Sequence, residues 1–136
     1  MLNRRRFATC AICSAIGLVA TKVDANAQAA GGVTRTILQK TEFPGEKYAT
    51  VLAVAEIAPG ALVARHTHPG VESAYVTEGG GRLSVKGQPD REIKAGDGFQ
   101  IPAEVPHSLK NGNGRTLVTV TYVVEKDKPL ASPAPE

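Results

Sequence analysis

Gly60-Ala61-Leu62-Val63-Ala64-Arg65-His66-Thr67-His68-Pro69-Gly70-Val71-Glu72-Ser73-Ala74-Tyr75-Val76 is the stretch that decides how this chain folds. Side chains on an extended backbone alternate between two faces, so a strand over Leu62 to His68 aims the imidazoles of His66 and His68 the same way. Pro69-Gly70 reads as a turn, and Glu72 to Val76 as the return strand of a hairpin in which positions 72, 74 and 76 share a face. Two imidazoles and a carboxylate would then meet on one side of one hairpin. The chain has three histidines, and the third, His107, lies downstream in a second segment, Gly96 to Asn111.

Outward from this stretch the texture is uniformly that of short strands. Val33 to Leu38, Tyr48 to Ile57, Arg82 to Val85, Arg91 to Ile93, Phe99 to Ile101, His107 to Lys110 and Leu117 to Val124 are rich in Val, Ile, Thr and Tyr. Between them stand turn formers such as Phe43-Pro44-Gly45, Ala58-Pro59-Gly60, Gly79-Gly80-Gly81, Gly96-Asp97-Gly98 and Asn111-Gly112-Asn113-Gly114. No segment keeps a helical period and no internal repeat occurs, so the chain reads as one all-β domain, a sandwich or a barrel.

The residues also fit a known pattern. Gly60, His66, His68, Glu72 and Gly79 fill every fixed place of G(X)5HXH(X)3-4E(X)6G. Gly96, Pro102, His107 and Asn111 follow G(X)5PXG(X)2H(X)3N, with Glu104 at its one departure, where a glycine serves a tight turn. In these two motifs the chain resembles the cupin superfamily, specifically the small single-domain type-2 (RmlC-like) members, over roughly Val33 to Val124. The resemblance implies a jelly-roll β-barrel that holds one divalent transition metal on His66, His68, Glu72 and His107. It also implies pairing as a homodimer, for which the strand near Val33 to Leu38 would offer an open edge.

The first 27 residues read as a signal peptide rather than as part of the fold. Arg4-Arg5-Arg6-Phe7 precedes the apolar run Ala8 to Ala20, and Ala25-Asn26-Ala27 has the small-x-small form of a cleavage site. Arg4-Arg5-x-Phe7 is similar to a twin-arginine signal, so a periplasmic or secreted protein is expected. The apolar run is shorter than the ~20 residues a membrane span needs, so no stable membrane association is expected after cleavage. Without this segment Lys and Arg fall from 16 to 12 and Asp and Glu from 13 to 12. The basic balance belongs to the signal, and no nucleic-acid partner is expected. Cys10 and Cys13 leave with it, so the site must be built from nitrogen and oxygen. At the other end, residues 125–136, with Pro129, Pro133 and Pro135, read as an extended, poorly packed tail.

A lone strand histidine is commonly structural, but three imidazoles and a carboxylate facing an apolar interior are costly unless a cation compensates them. Imidazole and carboxylate ligands suit Fe, Mn, Ni, Cu or Zn, and four protein ligands leave one or two positions open on an ion preferring five or six. A dioxygenase-like enzyme acting on a small oxygenated molecule is the leading expectation. The alternatives are a non-redox isomerase or lyase in which Glu72 acts as the base, and a non-catalytic binder of a small ligand or metal. Phe43 and Phe99 are expected to fill the packing. Tyr75 and Gln100 would reach the cavity only if their strand phase allows it.

Overall fold

The computed structural model describes residues 27–45 and 47–134, and the signal-peptide reading lies outside these residues apart from Ala27. Eleven strands run in chain order: β1 Ala27–Ala30, β2 Val33–Glu42, β3 Tyr48–Ile57, β4 Leu62–Thr67, β5 Gly70–Glu78, β6 Gly80–Val85, β7 Arg91–Lys94, β8 Gly98–Ile101, β9 His107–Asn111, β10 Thr116–Glu125 and β11 Ser132–Pro133. They form a six-stranded sheet ordered β1-β2-β3-β10-β5-β8 and a five-stranded sheet ordered β11-β4-β9-β6-β7, and every pairing is antiparallel. The architecture is a jelly-roll-like sandwich. Its two sheets face one another without closing into the barrel expected from the resemblance.

The strand sequences account for the layering. In β10, Val118, Val120, Tyr122 and Val124 are buried while Leu117, Thr119, Thr121 and Val123 face outward, the period-2 alternation of a half-buried strand. The same phase in β3 buries Val51, Ala53, Ala55 and Ile57. Against them from the other sheet pack Leu83, Val85 and Leu109. Burying each Val or Leu of this core contributes on the order of 1.5–3 kcal/mol.

Four sequence expectations are corrected here. The residues around Pro69-Gly70 form no hairpin, because β4 pairs with β9 and β11 in one sheet while β5 pairs with β10 and β8 in the other. The turn is a crossover between sheets, which no local signal separates from a hairpin. Val33 to Leu38 is not a fully open edge: the chain reverses at Gly31-Gly32, both with positive φ, and lays β1 against Val33–Thr36. Phe43 sits in the β2–β3 connection and is 44% exposed, so only Phe99 of the two phenylalanines packs on the core. Finally, the last segment is extended but not loose, since Leu130 packs against the core and β11 pairs with Thr67 and His66 of β4.

Candidate metal centre

The crossover brings the four side chains together from both walls. His66 in β4 and His107 in β9 are cross-strand partners in the five-stranded sheet, with ring centroids 4.3 Å apart. Glu72 projects from β5 in the facing sheet, beside Tyr122 and Ile101 in register, and His68 lies in the connection between β4 and β5. An irregularity between Val63 and His66 re-aims the end of β4, a common use of bulges at sheet rims. His68, Glu72 and His107 are buried and His66 is half-buried.

Every imidazole is oriented by a backbone carbonyl. Nδ1 of His66 faces the Ala64 oxygen at 2.7 Å, that of His68 the Leu130 oxygen at 2.6 Å, and that of His107 the Val105 oxygen at 2.9 Å. A carbonyl only accepts, so each Nδ1 carries a hydrogen and each neutral ring presents the lone pair of Nε2. The Nε2 atoms of His66 and His68 are 3.1 Å apart, and those of His68 and His107 are each 3.0 Å from Glu72 Oε2. Lone pairs this close repel unless a cation lies among them. Neighbouring ligands at right angles on an ion with bonds of about 2.1 Å would stand about 3.0 Å apart, against about 3.4 Å for a tetrahedral set. Three of the separations match the right-angle spacing, and the four donor atoms, all within 4.8 Å of one another, could hold a divalent ion. The sequence-assigned ligand set is the cluster that could hold a metal.

Electrostatics keep the cluster ready for a cation. Burial, reinforced by repulsion from His107 and His68 when those rings carry a proton, lowers the pKa of His66 from 6.5 to about 4, so the His66 ring stays neutral. Without a metal, burial would raise the carboxyl of Glu72, but the hydrogen bonds that His107 and His68 donate when their Nε2 atoms carry a proton outweigh it and bring that pKa to about 2. Tyr122 is pushed the other way, by burial and by the Glu72 charge, and remains a neutral phenol.

Next to the ligands lies a cavity of about 40 Å³, walled by apolar side chains including Ile57, Val63, Phe99 and Val120, with Arg35 and Tyr122 among its polar groups. A wider mouth of about 280 Å³, bounded by Val33, Arg35, Val63, His66 and Ala131, leads from the surface to His66. Tyr75 and Gln100 do not reach this space. Tyr75 is 53% exposed and Gln100 Nε2 donates to Ser73 Oγ, and both line an open groove of about 730 Å³ that holds none of the four ligands and meets the inner cavity only at Leu83 and Phe99.

Motif reading overlooked two side chains and a backbone atom. Arg35 falls in the inward phase of β2, and Tyr122 falls in the inward phase of β10. A charged or hydroxylated residue at an apolar phase position was the signal available for both. The Leu130 carbonyl left no trace in the sequence. Asp97 and Asn111 hold turns as expected: Asp97 Oδ2 accepts from the Lys94 amide, and Asn111 joins three segments. Glu104 takes the conformation of the glycine it replaces, φ 60°, and its amide donates to the His68 carbonyl at 2.9 Å.

Two facing antiparallel sheets with three imidazoles and one carboxylate between them define a small metal-competent jelly roll. Residues 53–124 match the cupin domain (Cupin_2), and the chain belongs to that family. It is 37% identical over 92 residues to the HTH-type transcriptional activator RhaR of Enterobacter sp. (strain 638), a match covering 68% of this chain but 32% of that protein. The chain thus spans about a third of that relative's length. Among solved structures it is similar to a cupin-like protein from Thermotoga maritima, with TM-score 0.62, 28% identity and 77% of each chain covered. The polyketide cyclase RemF from Streptomyces resistomycificus gives TM-score 0.63 at 23% identity, with 83% and 82% covered. The DMSP lyase DddQ from Ruegeria pomeroyi DSS-3 gives 0.59 at 19%, covering 62% of this chain and 43% of that one. At 23% and 19% identity, the last two likenesses establish the fold alone.

Proposed function

We propose that this chain is an exported, metal-dependent cupin enzyme, a dioxygenase-like oxidoreductase acting on a small oxygenated molecule. The observation that carries the reading is the convergence of three Nε2 atoms and Glu72 Oε2 at the edge of an apolar cavity that adjoins a surface mouth. A divalent ion held there would supply Lewis acidity and, if redox-active, electron transfer to a coordinated oxygen donor. The chain's own residues do the rest. The carbonyls of Ala64, Leu130 and Val105 hold the rings in one tautomer. Phe99 and the aliphatic wall exclude water, and the neutral Tyr122 phenol can donate a hydrogen bond. Metal analysis of the purified protein followed by oxygen uptake with small enols and phenols tests the reading. Fe, Mn, Ni or Cu with substrate-dependent uptake is expected. Zinc without uptake selects instead the isomerase or lyase in which Glu72 serves as base.

A second reading, a non-catalytic small-ligand binder, is favoured by the likeness to a transcriptional activator. Ligand binding without turnover under any metal would select it. In either case the partner is a small molecule rather than nucleic acid, because basic and acidic residues balance after residue 27.

The protein is further proposed to pair with a second copy through the outer face of the six-stranded sheet. Rows such as Gln39-Leu52-Thr121-Ser73-Gln100 and Thr41-Thr50-Val123-Val71 cross that face without a charge, and Leu52, Val71, Tyr75 and Val123 are 38–53% exposed. A two-fold contact sets each residue near its own copy, so these uncharged rows avoid like-charge repulsion, while Glu56 and Glu78 lie in a different row of the same face. Light scattering should give twice the chain mass, and Leu52→Lys should return it to the monomer.

A further inference from the structure

Arg35 stands at the inward phase of β2, opposite Ala55 of β3, where its sequence neighbours on that face are Val33 and Ile37. Its Nε is buried without a hydrogen-bond partner, and no carboxylate forms an ion pair with it among the described residues. The guanidinium carbon lies 5.9 Å from the centre of the Tyr122 ring and the group is within hydrogen-bonding reach of the Tyr122 hydroxyl, contacts that steady it while Nε stays without a partner. Arg65 also has a buried, unpartnered Nε, but Arg35 alone of the two lines both the inner cavity and its mouth, alongside His66.

A half-buried guanidinium whose Nε has no acceptor costs stability. An acceptor that arrives from the mouth, which Arg35 lines, would satisfy it. Arginine presents a planar fork of donors suited to carboxylate oxygens and keeps its charge at any working pH. A ligand held by that fork would place its other end toward His66 and Glu72, which line the same cavity. We infer that Arg35 is the anion-binding residue of the site, and that the small oxygenated substrate carries a carboxylate gripped by Arg35 while a second oxygen faces the ligand cluster. This rests on the metal-site reading above and adds the charge of the substrate to it.

Pyruvate and its neutral ester methyl pyruvate are suitable probes, since they share the keto oxygen and differ in charge. Calorimetric titration of the Mn(II)-loaded protein should show pyruvate binding about tenfold or more tighter than the ester, the size expected for a charge-assisted hydrogen bond. Arg35→Gln should remove that preference while metal content stays at the wild-type level, and Arg35→Lys should restore part of it. Equal binding of acid and ester by the wild type overturns the inference, and this comparison depends on no variant being folded. So does an Arg35→Gln protein that is folded by circular dichroism and keeps the preference. Failure of the wild type to bind any divalent metal sinks the enzyme reading instead, and the acid-over-ester preference can then still be measured on the metal-free protein.

Discussion

Asn111 offers the sharpest test of how the metal-bearing strand is anchored. The side chain is buried, and its amide nitrogen lies 3.0, 2.7 and 2.9 Å from the carbonyls of Ile57, Ala58 and Gly114. Its oxygen accepts from the Gly112 amide at 2.9 Å and from the Thr116 hydroxyl at 2.7 Å. One side chain thus ties the end of β3, the end of β9 and the start of β10. Asn111→Asp keeps the volume and the accepting oxygen but replaces two N–H donors with an oxygen facing three carbonyls. Two lost hydrogen bonds, the unsatisfied acceptors they leave and a buried charge without a partner together cost about 3–5 kcal/mol, a large part of a typical ~5–15 kcal/mol stability. Urea unfolding followed by circular dichroism at pH 7 should show that loss, and at least as large a loss as for Asn111→Ala. Burial raises the pKa of the new carboxyl, and its protonated form can donate one hydrogen bond, so the cost should shrink as pH falls toward 4. A variant within about 1 kcal/mol of wild type at pH 7, less than one buried unsatisfied group is worth, would refute the anchoring role.

Other expectations follow from the centre itself. His66→Ala and His107→Ala should each lower metal content and the metal-induced rise in melting temperature, and full occupancy in both would mean that the ion, if any, sits elsewhere. Stability of the metal-free protein should fall as pH drops from 6.5 toward about 4, because His66 stays neutral in the fold but protonates when unfolded. It should fall again from about 4.5 toward about 2, as the depressed Glu72 carboxylate is protonated, and Glu72→Gln should make the second decline in the urea midpoints shallower. Glu104→Gly relieves the φ of 60° at an exposed turn. The left-handed penalty of about 1–2 kcal/mol exceeds the entropic cost of glycine, so the unfolding free energy from urea titration should rise by about 0.5–1 kcal/mol, while Glu104→Ala should leave it unchanged.

The sequence revealed local features more readily than long-range ones. Strands such as Tyr48–Ile57 and Leu117–Val124 were legible because their alternation is set by the two-residue period of the backbone and interrupted by Pro and Gly. The ligands were legible because His-x-His, Glu72 and His107 keep a spacing that turns alone do not demand. Which sheet each strand joins was not legible: a two-residue connection after Thr67 serves a hairpin and a crossover equally well. Nor could the placing of Ser132 and Pro133 beside β4 be read, since two residues carry no period and their pairing is through the backbone. Arg35 was within reach, but it required treating a cation at an apolar phase as information rather than as an exception.

The bond from His68 to the Leu130 carbonyl spans 62 positions of sequence and makes the closing segment a party to whatever the imidazole does. Thermodynamic reciprocity then applies: if docking of that segment strengthens metal capture by some factor, metal must hold the segment down by the same factor. A protease cutting between Lys126 and Pro133 would therefore report on the ion without touching it, cleaving slowly when the centre is filled and faster when a chelator has emptied it. The closing segment thus becomes a gauge of occupancy.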